Sequence, residues 1–148
     1  PLDKQVSLIE NLLPQDDPRL EDLIVRRSDL RLRSPISTEG ANKPIRVGTV
    51  GKGGQGERVY GVQGHAVTLS AFGGGVGART GLYLQEDLVR RLHPEECRRL
   101  MGFPEGFVLH PRRNVCFKQF GNSVVVPVVK QIFQEIEKAL PVEKLEAA

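Results

Sequence analysis

Residues 51–82 read GKGGQGERVYGVQGHAVTLSAFGGGVGARTGL, and this stretch decides the fold that we expect. Of the 16 glycines in the chain, 12 lie between Gly48 and Gly81. Backbone this rich in glycine bends tightly or lies against a surface that leaves no room for side chains. A few polar side chains stand out from the glycines, and we expect them to reach into a groove: Gln55, Arg58, Thr68 and Arg79.

Short segments of β-forming residues alternate with these glycines. Their composition predicts strands at residues 23–25, 45–50, 57–60, 66–69 and 82–84. The expected arrangement is a twisted antiparallel β region with two long glycine loops at one edge. Ahead of it, apolar residues at helical spacing predict an amphipathic helix over residues 2–13. Residues 34–44, rich in proline, glycine, serine and asparagine, predict a loop.

The pattern changes to helix beyond residue 87. Pro94 stands at a first helical position, glutamates follow in the first turn, arginines occupy the last turn and Gly102 ends the segment. Residues 114–120 predict another short helix. The predicted fold class is therefore α+β.

A final helix is expected over residues 124–136, with Asn122 or Ser123 as its cap. Its early turns are apolar on several faces. A helix of this kind is usually buried, so we expect it to dock on another surface.

Composition narrows the class of protein. The 148 residues, 39% of them hydrophobic, suffice for one modest core. Residues 1–40 hold 6 basic and 8 acidic groups (−2), and residues 41–148 hold 15 and 10 (+5). A positive glycine-rich half fits a polyanionic partner, although an ordinary basic surface gives the same charge.

Neither a membrane segment nor a metal site is expected. No run of about 18 apolar residues occurs. Cys97 and Cys116 form no Cys-x-x-Cys pattern, so we expect two reduced thiols in a cytoplasmic protein and no zinc site. The sequence begins with Pro1 rather than Met, from which we expect a fragment, a processed chain or a subcloned part.

Two further patterns suggest other functions. Gly51-x-Gly53-x-x-Gly56 matches the dinucleotide fingerprint, but that mechanism needs a helix directly behind the glycines, and the residues from Glu57 onward are poor helix formers. Cys97 lies beside arginines in a predicted helix, which favours a thiolate. A cysteine without a nearby base is nevertheless more often a packing residue.

Four segments follow one another in the glycine-rich and helical parts of the chain: GGQGER at residues 53–58, TLS at 68–70, LHPEECRRLMGFP at 92–104 and KQFGNSVV at 118–125. Their combination, order and spacing resemble the carboxy-terminal half of bacterial cytosine-5 DNA methyltransferases. The restriction-modification enzymes of the GCGC type are the closest match. The last two segments look like the ninth and tenth sequence motifs of that family.

The resemblance implies a division of the chain. Residues 1–92 would form a small, twisted, β-rich target recognition domain with an amino-terminal linking helix. Residues 93–121 would be a hinge that braces it. Residues 122–148 would form a carboxy-terminal helix that docks on a Rossmann-like catalytic domain absent from this chain. The implied setting is a bacterial cytoplasm, with double-stranded DNA as partner.

The resemblance also implies roles for individual residues. In this family the target cytosine is flipped out of the duplex, because its ring is inaccessible in the stack. Gln55 would fill the gap and bond the orphan guanine, Arg58 would read a guanine edge, and Thr68 would hold a backbone phosphate. Four residues of a second recognition loop complete the implied DNA-binding set: Ser70, Phe72, Gly73 and Gly75.

The implied cofactor is S-adenosylmethionine, bound mainly by the absent half. Asn122 and Ser123 resemble cofactor-side residues that close part of its pocket. The family's nucleophile follows a proline, which neither Cys97 nor Cys116 does, and the Phe-x-Gly-x-Gly cofactor loop is missing. We therefore expect no catalytic residue in this chain, and methyl transfer only with an amino-terminal catalytic half, whether that half is a separate subunit or the missing part of the same chain.

The alternative interpretation is a stand-alone, sequence-specific DNA-binding module without catalysis. It predicts specific duplex binding in the absence of any partner. Asn122, Ser123 and the apolar final helix argue against it, because such a module has no evident use for them.

Overall fold

The computed structural model of the chain describes residues 8–33 and 43–140. Five strands in these ranges form one sheet whose order follows the chain: β1 Arg31–Leu32, β2 Ile45–Thr49, β3 Arg58–Gly61, β4 Leu82–Gln85 and β5 Leu88–Arg90. Three α-helices come after the sheet: α1 Pro94–Leu100, α2 Arg113–Asn122 and α3 Val126–Ala139. A sheet followed by helices is the predicted α+β class.

The sheet is mixed rather than wholly antiparallel. β3 and β4 run parallel, whereas the other three neighbouring pairs are antiparallel, so the prediction is wrong at this pair. Parallel neighbours need a crossover connection, which residues 62–81 make. The strand predicted at residues 66–69 is not formed, because Val67 donates its N–H to the Tyr83 hydroxyl at 3.0 Å instead of to a neighbouring strand.

A bulge between β2 and β3 sets which side chains share a face of the sheet. The register shifts between Arg46 and Gly48, so Arg46 lies opposite Tyr60 and Thr49 lies opposite Arg58. Directly opposed residues of a ladder point to the same side. The alternate residues of β3 point to the other side, where Val47, Val50, Val59, Leu82 and Val89 form a buried core.

A second core lies between the sheet and the helices. It is built from apolar side chains of β4, α1 and α2, among them Tyr83, Cys97, Phe117 and Phe120. The rings of Phe103 and Phe120 stand 5.7 Å apart at their centroids, which ties the segment after α1 to α2. These contacts hold α1 and α2 against the sheet.

The predicted helix at Pro94 is confirmed as α1. His93 precedes it, and its Nδ1 accepts the backbone N–H of Glu95 at 3.2 Å. Burial lowers the pKa of His93, which favours the neutral imidazole that such an acceptor requires. Glu96 is fully buried and forms an ion pair with Arg90 of β5 at 2.6 Å, so the first turn of the helix is anchored to the sheet.

The predicted amino-terminal helix is observed only in part. Residues 1–7 lie outside the described residues, and so does most of the loop predicted at 34–44. Of the remainder, Ile9–Asn11 forms one turn of 3₁₀ helix, and Leu12 is already extended.

The strand predicted at residues 23–25 is wrong. Pro18–Leu23 is a 3₁₀ helix instead, and Ile24 forms only an isolated bridge with Arg90. The reason is a local cap, since the side chain of Asp17 accepts a backbone N–H of the first turn and Pro18 supplies a backbone angle suited to a helix start.

The two last helices are confirmed, but their boundary differs from the prediction. Asn122 is the final residue of α2 and Ser123 follows it, so neither caps α3. The last helix begins at Val126, with proline in its first turn. Val126 donates its N–H to the carbonyl of Met101 at 2.9 Å, so a tertiary contact rather than a side-chain cap sets the start.

α3 is amphipathic, and none of its residues is buried. Large apolar side chains of its exposed face recur at helical spacing: Val128, Ile132, Phe133 and Ile136. In the described parts of the chain, no helix is both long and apolar enough to cross a membrane.

Candidate nucleic-acid interface

The first glycine loop, residues 50–57, connects β2 to β3, and the second, residues 70–81, precedes β4. The two loops meet around an open cleft of about 290 Å³. Of the seven predicted DNA-binding residues, five line this cleft: Gln55, Thr68, Ser70, Phe72 and Gly73. Arg58 and Gly75 do not line it; Gly75 directly follows the lining residue Gly74, and Arg58 begins β3 two positions after the lining residue Gly56. The structure therefore brings together side chains that are up to 17 positions apart in the sequence, from Gln55 to Phe72.

Backbone contacts lock the two loops to each other. The carbonyl of Gly56 accepts the N–H of Gly77 at 2.7 Å. A Cβ atom at Gly56 would overlap the carbonyl oxygen of Gly74, and one at Gly75 would lie 3.0 Å from the Gly56 oxygen. Glycine is required on both sides of this contact because the two main chains touch directly.

Gln55 stands at the tip of the first loop. It begins a 3₁₀ turn, Gln55–Glu57, and its side chain is exposed. The carboxylate of Glu57 accepts the N–H of Gly54 at 2.9 Å, which fastens the turn from behind. The turn thus holds an exposed amide, which has both donors and acceptors, at the rim of the cleft.

Two arginines lie on the sheet face behind this loop. The Nε atoms of Arg58 on β3 and of Arg46 on β2 are buried, and neither has a hydrogen-bond partner among the residues that the structure describes. Arg58 was predicted as a binding residue, whereas Arg46 was not. The only sequence signal for Arg46 is a basic residue within an apolar strand, and a solvated edge position explains that signal equally well.

Helix α2 supports the second loop. Arg79 lines the cleft, but its Nη1 donates to the carbonyl of Asn114 at 2.9 Å and so braces the loop against the helix. Lys118 Nζ stands 5.2 Å from the centre of the Phe72 ring, whose residue is 78% exposed. A Cβ atom at Gly121 would overlap the backbone of Ala71, so the end of α2 touches the loop directly.

The predicted cofactor-side residues do not line the first cleft. Asn122 and Ser123 line a separate groove of about 490 Å³, together with the apolar side chains of Phe103, Val126 and Phe133. Ser123 Oγ donates to the carbonyl of Phe120 at 2.9 Å, whereas Asn122 is exposed. An exposed amide beside an apolar wall fits one edge of a pocket for a polar ligand with an aromatic part.

Neither cysteine is placed for nucleophilic attack. Cys97 is fully buried, and burial raises the pKa of its thiol well above the ordinary range. Burial also raises the pKa of Cys116, whose Sγ donates to the carbonyl of His110 at 3.0 Å. Both thiols are therefore protonated packing groups. Across residues 8–33 and 43–140, no cluster of three or more His, Cys, Asp or Glu side chains could hold a metal ion.

Comparison with known proteins identifies similar sequences. The model of a protein family described as C-5 cytosine-specific DNA methylase matches residues 20–138 of this chain. The chain is 44% identical to Type II methyltransferase M.HhaI of Haemophilus parahaemolyticus over 140 residues, which cover 95% of this chain and 42% of that protein. It is 45% identical over 56 residues to M.HgiCI of Herpetosiphon aurantiacus and 44% identical over 63 residues to M.MspI of a Moraxella species.

These two shorter matches cover 38% and 41% of this chain, and 13% and 15% of the respective relatives. The chain therefore spans less than half the length of each of these three relatives.

Proposed function

This chain belongs to the C-5 cytosine-specific DNA methylase family, and from that premise we propose that it is the DNA-recognising, carboxy-terminal part of a cytosine-5 DNA methyltransferase. Its relatives are named Type II methyltransferases. The proposed reaction is methyl transfer from S-adenosylmethionine to C5 of cytosine in a short duplex site. In this proposal residues 1–92 recognise the target, residues 93–121 brace that domain, and residues 122–148 belong to the catalytic domain.

The observation that carries the proposal is the cleft between the two interlocked glycine loops. It presents exposed polar and aromatic groups on a rigid backbone, with the amide of Gln55 at its rim. An enzyme that modifies a cytosine in duplex DNA has to extrude the base and fill the space it leaves. The Gln55 amide can satisfy the donors and acceptors of the unpaired guanine.

Arg58 and Thr68 have complementary roles in this proposal. The guanidinium of Arg58, which has no hydrogen-bond or ion-pair partner among the described residues, reads a guanine edge through two parallel hydrogen bonds. Thr68 is exposed at the cleft and binds a phosphate beside the flipped nucleotide. Ser70, Gly73 and Gly75 allow the second loop to approach the base edges closely.

Phe72 leaves the proposed recognition sequence open to test. The loop of Gln55 and Arg58 is so similar to that of GCGC-type enzymes that we propose a GCGC-like site. The exposed ring of Phe72 carries no hydroxyl that could bond a base or phosphate. Sequencing of methylated sites decides the matter, because modified cytosines outside a GC core would contradict the proposed site.

Catalysis itself is proposed to reside in the absent half. Both thiols of this chain are buried and protonated, so the partner supplies the nucleophile. The exposed apolar face of α3, with Ile132 and Phe133, is the proposed docking surface for that half. A helix that buries none of its apolar residues gains stability when a partner removes them from water.

Asn122 and Ser123 are proposed to complete the cofactor pocket from this side. When bound, S-adenosylmethionine supplies the electrophilic methyl group. The exposed amide of Asn122 binds a polar group of the ligand, while the neighbouring apolar groove excludes water. Ser123 is held by its bond to Phe120 and so keeps the end of α2 in place.

The decisive experiment mixes the 148-residue chain with the amino-terminal part of a Type II methyltransferase relative. Transfer of labelled methyl groups to a GCGC duplex is then measured, with each part alone as control. We expect transfer only in the mixture, and we expect Arg58→Ala to abolish the preference for GCGC over a shuffled duplex. A silent mixture, combined with tight and specific duplex binding by this chain alone, would replace the proposal with the stand-alone DNA-binding module.

A further inference from the structure

Arg46 shares a face of the sheet with Arg58. Arg46 lies opposite Tyr60 in the β2–β3 ladder, and Arg58 precedes Tyr60 by two positions on the same strand. Diagonal neighbours of this kind have Cα atoms about 7–8 Å apart. Both arginines have a buried Nε without a hydrogen-bond partner. Two neighbouring guanidinium groups thus lie on one face of the sheet, and neither Nε has an acceptor among the described residues.

Two acidic side chains that contact the first loop, Glu57 and Asp29, are engaged with other groups. Glu57 uses its carboxylate to accept the N–H of Gly54. Asp29 forms an ion pair with Arg27 at 2.6 Å and also accepts the N–H of Gly51 at 3.1 Å. In the described part of the chain, neither carboxylate pairs with Arg46 or Arg58. Among the described residues neither guanidinium has a hydrogen-bond or ion-pair partner, so the terminal nitrogens, rather than the buried Nε atoms, are the groups that an external acceptor would bind.

The position of Arg46 favours a phosphate over a base as that acceptor. A Cβ atom on Gly53 would lie 3.5 Å from Arg46 Nη2, so this guanidinium lies against the first loop. Along the ladder Arg46 lies opposite Tyr60, farther from the loop than Arg58, which lies opposite Thr49 in the last pair before the loop, while Gln55 stands at the tip. If the tip enters the groove, the DNA backbone passes the base of the loop. Lys52, exposed beside Gly53, adds positive charge there.

We propose that Arg46 is a second DNA-binding arginine, which binds a backbone phosphate next to the base pair that Arg58 reads. This inference rests on the proposed function, since it requires a duplex in the cleft. Arg46 fixes the position of the protein on the DNA, and Arg58 supplies the choice of sequence. Phosphate contacts act in this way because every sequence presents the same phosphates.

The test measures binding of the 148-residue chain, mixed with the amino-terminal part of a Type II methyltransferase relative, to a GCGC duplex and to a shuffled duplex of equal length, from about 50 to 200 mM salt. We expect Arg46→Gln to weaken binding to both duplexes equally, by about tenfold at low salt, as for a lost charge-assisted hydrogen bond. The slope of log affinity against log salt should fall by about 0.9, the value for one phosphate. Arg46→Lys should restore the slope.

Two variants serve as controls. Arg26→Ala removes an arginine that is exposed and paired with Glu21, and it should leave binding to both duplexes within about twofold. Arg58→Ala should reduce the preference for GCGC while leaving the salt slope unchanged. Thermal melts of each variant verify that the fold is intact.

The outcomes separate this inference from the function on which it rests. If Arg46→Gln leaves the slope unchanged, weakens one duplex alone, or matches Arg26→Ala, the phosphate contact is refuted while the proposed function stands. If the unaltered chain binds both duplexes equally, the proposed sequence recognition fails. The salt slope of Arg46→Gln then still tests the proposed phosphate contact. If it binds neither duplex, both the inference and the DNA-recognising role of this chain are refuted.

Discussion

Removal of the Glu96 carboxylate should destabilise the fold more than any surface substitution. Its two oxygens accept four hydrogen bonds, from Arg90 Nη1 and Nη2 and from the backbone N–H groups of Leu13 and His93. The Arg90 and Glu96 side chains are 1% and 0% exposed. Glu96→Ala therefore leaves the buried Arg90 without its counter-ion, and it leaves one buried and one partly buried backbone N–H without their acceptor.

The expected cost of Glu96→Ala is about 3–5 kcal/mol, the usual result of breaking one side of a buried ion pair. For a chain of this size each kcal/mol lowers Tm by roughly 2–4 °C. The thermal midpoint, followed by circular dichroism, should therefore fall by about 6–20 °C. Replacing both partners, as in Arg90→Met with Glu96→Met, should recover part of this loss because no charge remains buried.

Glu21→Ala is the matched control for this experiment. It breaks the ion pair between Glu21 and Arg26, whose side chains are 66% and 68% exposed, respectively. A solvated pair contributes about 0–1 kcal/mol, so the midpoint should change by no more than about 4 °C. If Glu96→Ala melts within the range of Glu21→Ala, the buried ion pair does not anchor α1 to the sheet, and the reasoning is refuted.

Three further predictions concern the loops, the last helix and the amino-terminal segment. Gly56→Ala should push the two glycine loops apart and weaken duplex binding at least tenfold in a filter-binding assay, whereas unchanged binding would contradict the interlocked contact. Ile132→Asp should abolish methyl transfer in the mixture with the catalytic half without lowering the Tm of this chain alone, because the residue is exposed here. A lowered Tm would place Ile132 in the fold of this chain instead. Hydrogen bonds from Arg19 hold the pKa of Asp17 below its usual range, so its stabilising effect is present above the unfolded pKa of about 3.9 and is lost as the pH falls below it. Asp17→Asn should flatten the fall of Tm between pH 5 and pH 2, and identical pH profiles would contradict this assignment.

The elements that the sequence predicted well are those with complete local signals. α1 has proline at its start, acidic residues in its first turn and Gly102 after its end, and it forms over nearly the predicted residues. The strands that flank the first glycine loop were also predicted, because apolar residues stand between glycines. Such signals depend only on neighbours in the chain.

Tertiary contacts decided the features that could not be predicted. The parallel pairing of β3 with β4 is not encoded in strand periodicity, which is the same for either direction. The start of α3 depends on a bond from Val126 to Met101, 25 residues earlier. Arg46 could not be identified because its significance lies in its cross-strand neighbours, which only the bulged register reveals.

The cleft residues were predicted through family resemblance more than through chemistry. Gln55 by itself is typical of an ordinary polar loop tip. The structure adds that Gln55 shares a cleft with Thr68 and Phe72, and that Arg79 turns toward α2. Which side chains a loop presents outward depends on what its other side chains bind, and that information is spread over the whole chain.

The contact of Gly56 with Gly74 and Gly77 has a consequence for anyone who wishes to redesign target choice. Because main chain meets main chain there, a loop transplanted alone from a relative would bring a backbone path that its old neighbour does not match. The two loops constitute a single exchangeable unit. Chimeras should therefore carry residues 51–81 whole, together with the α2 surface at Gly121 on which the second loop rests.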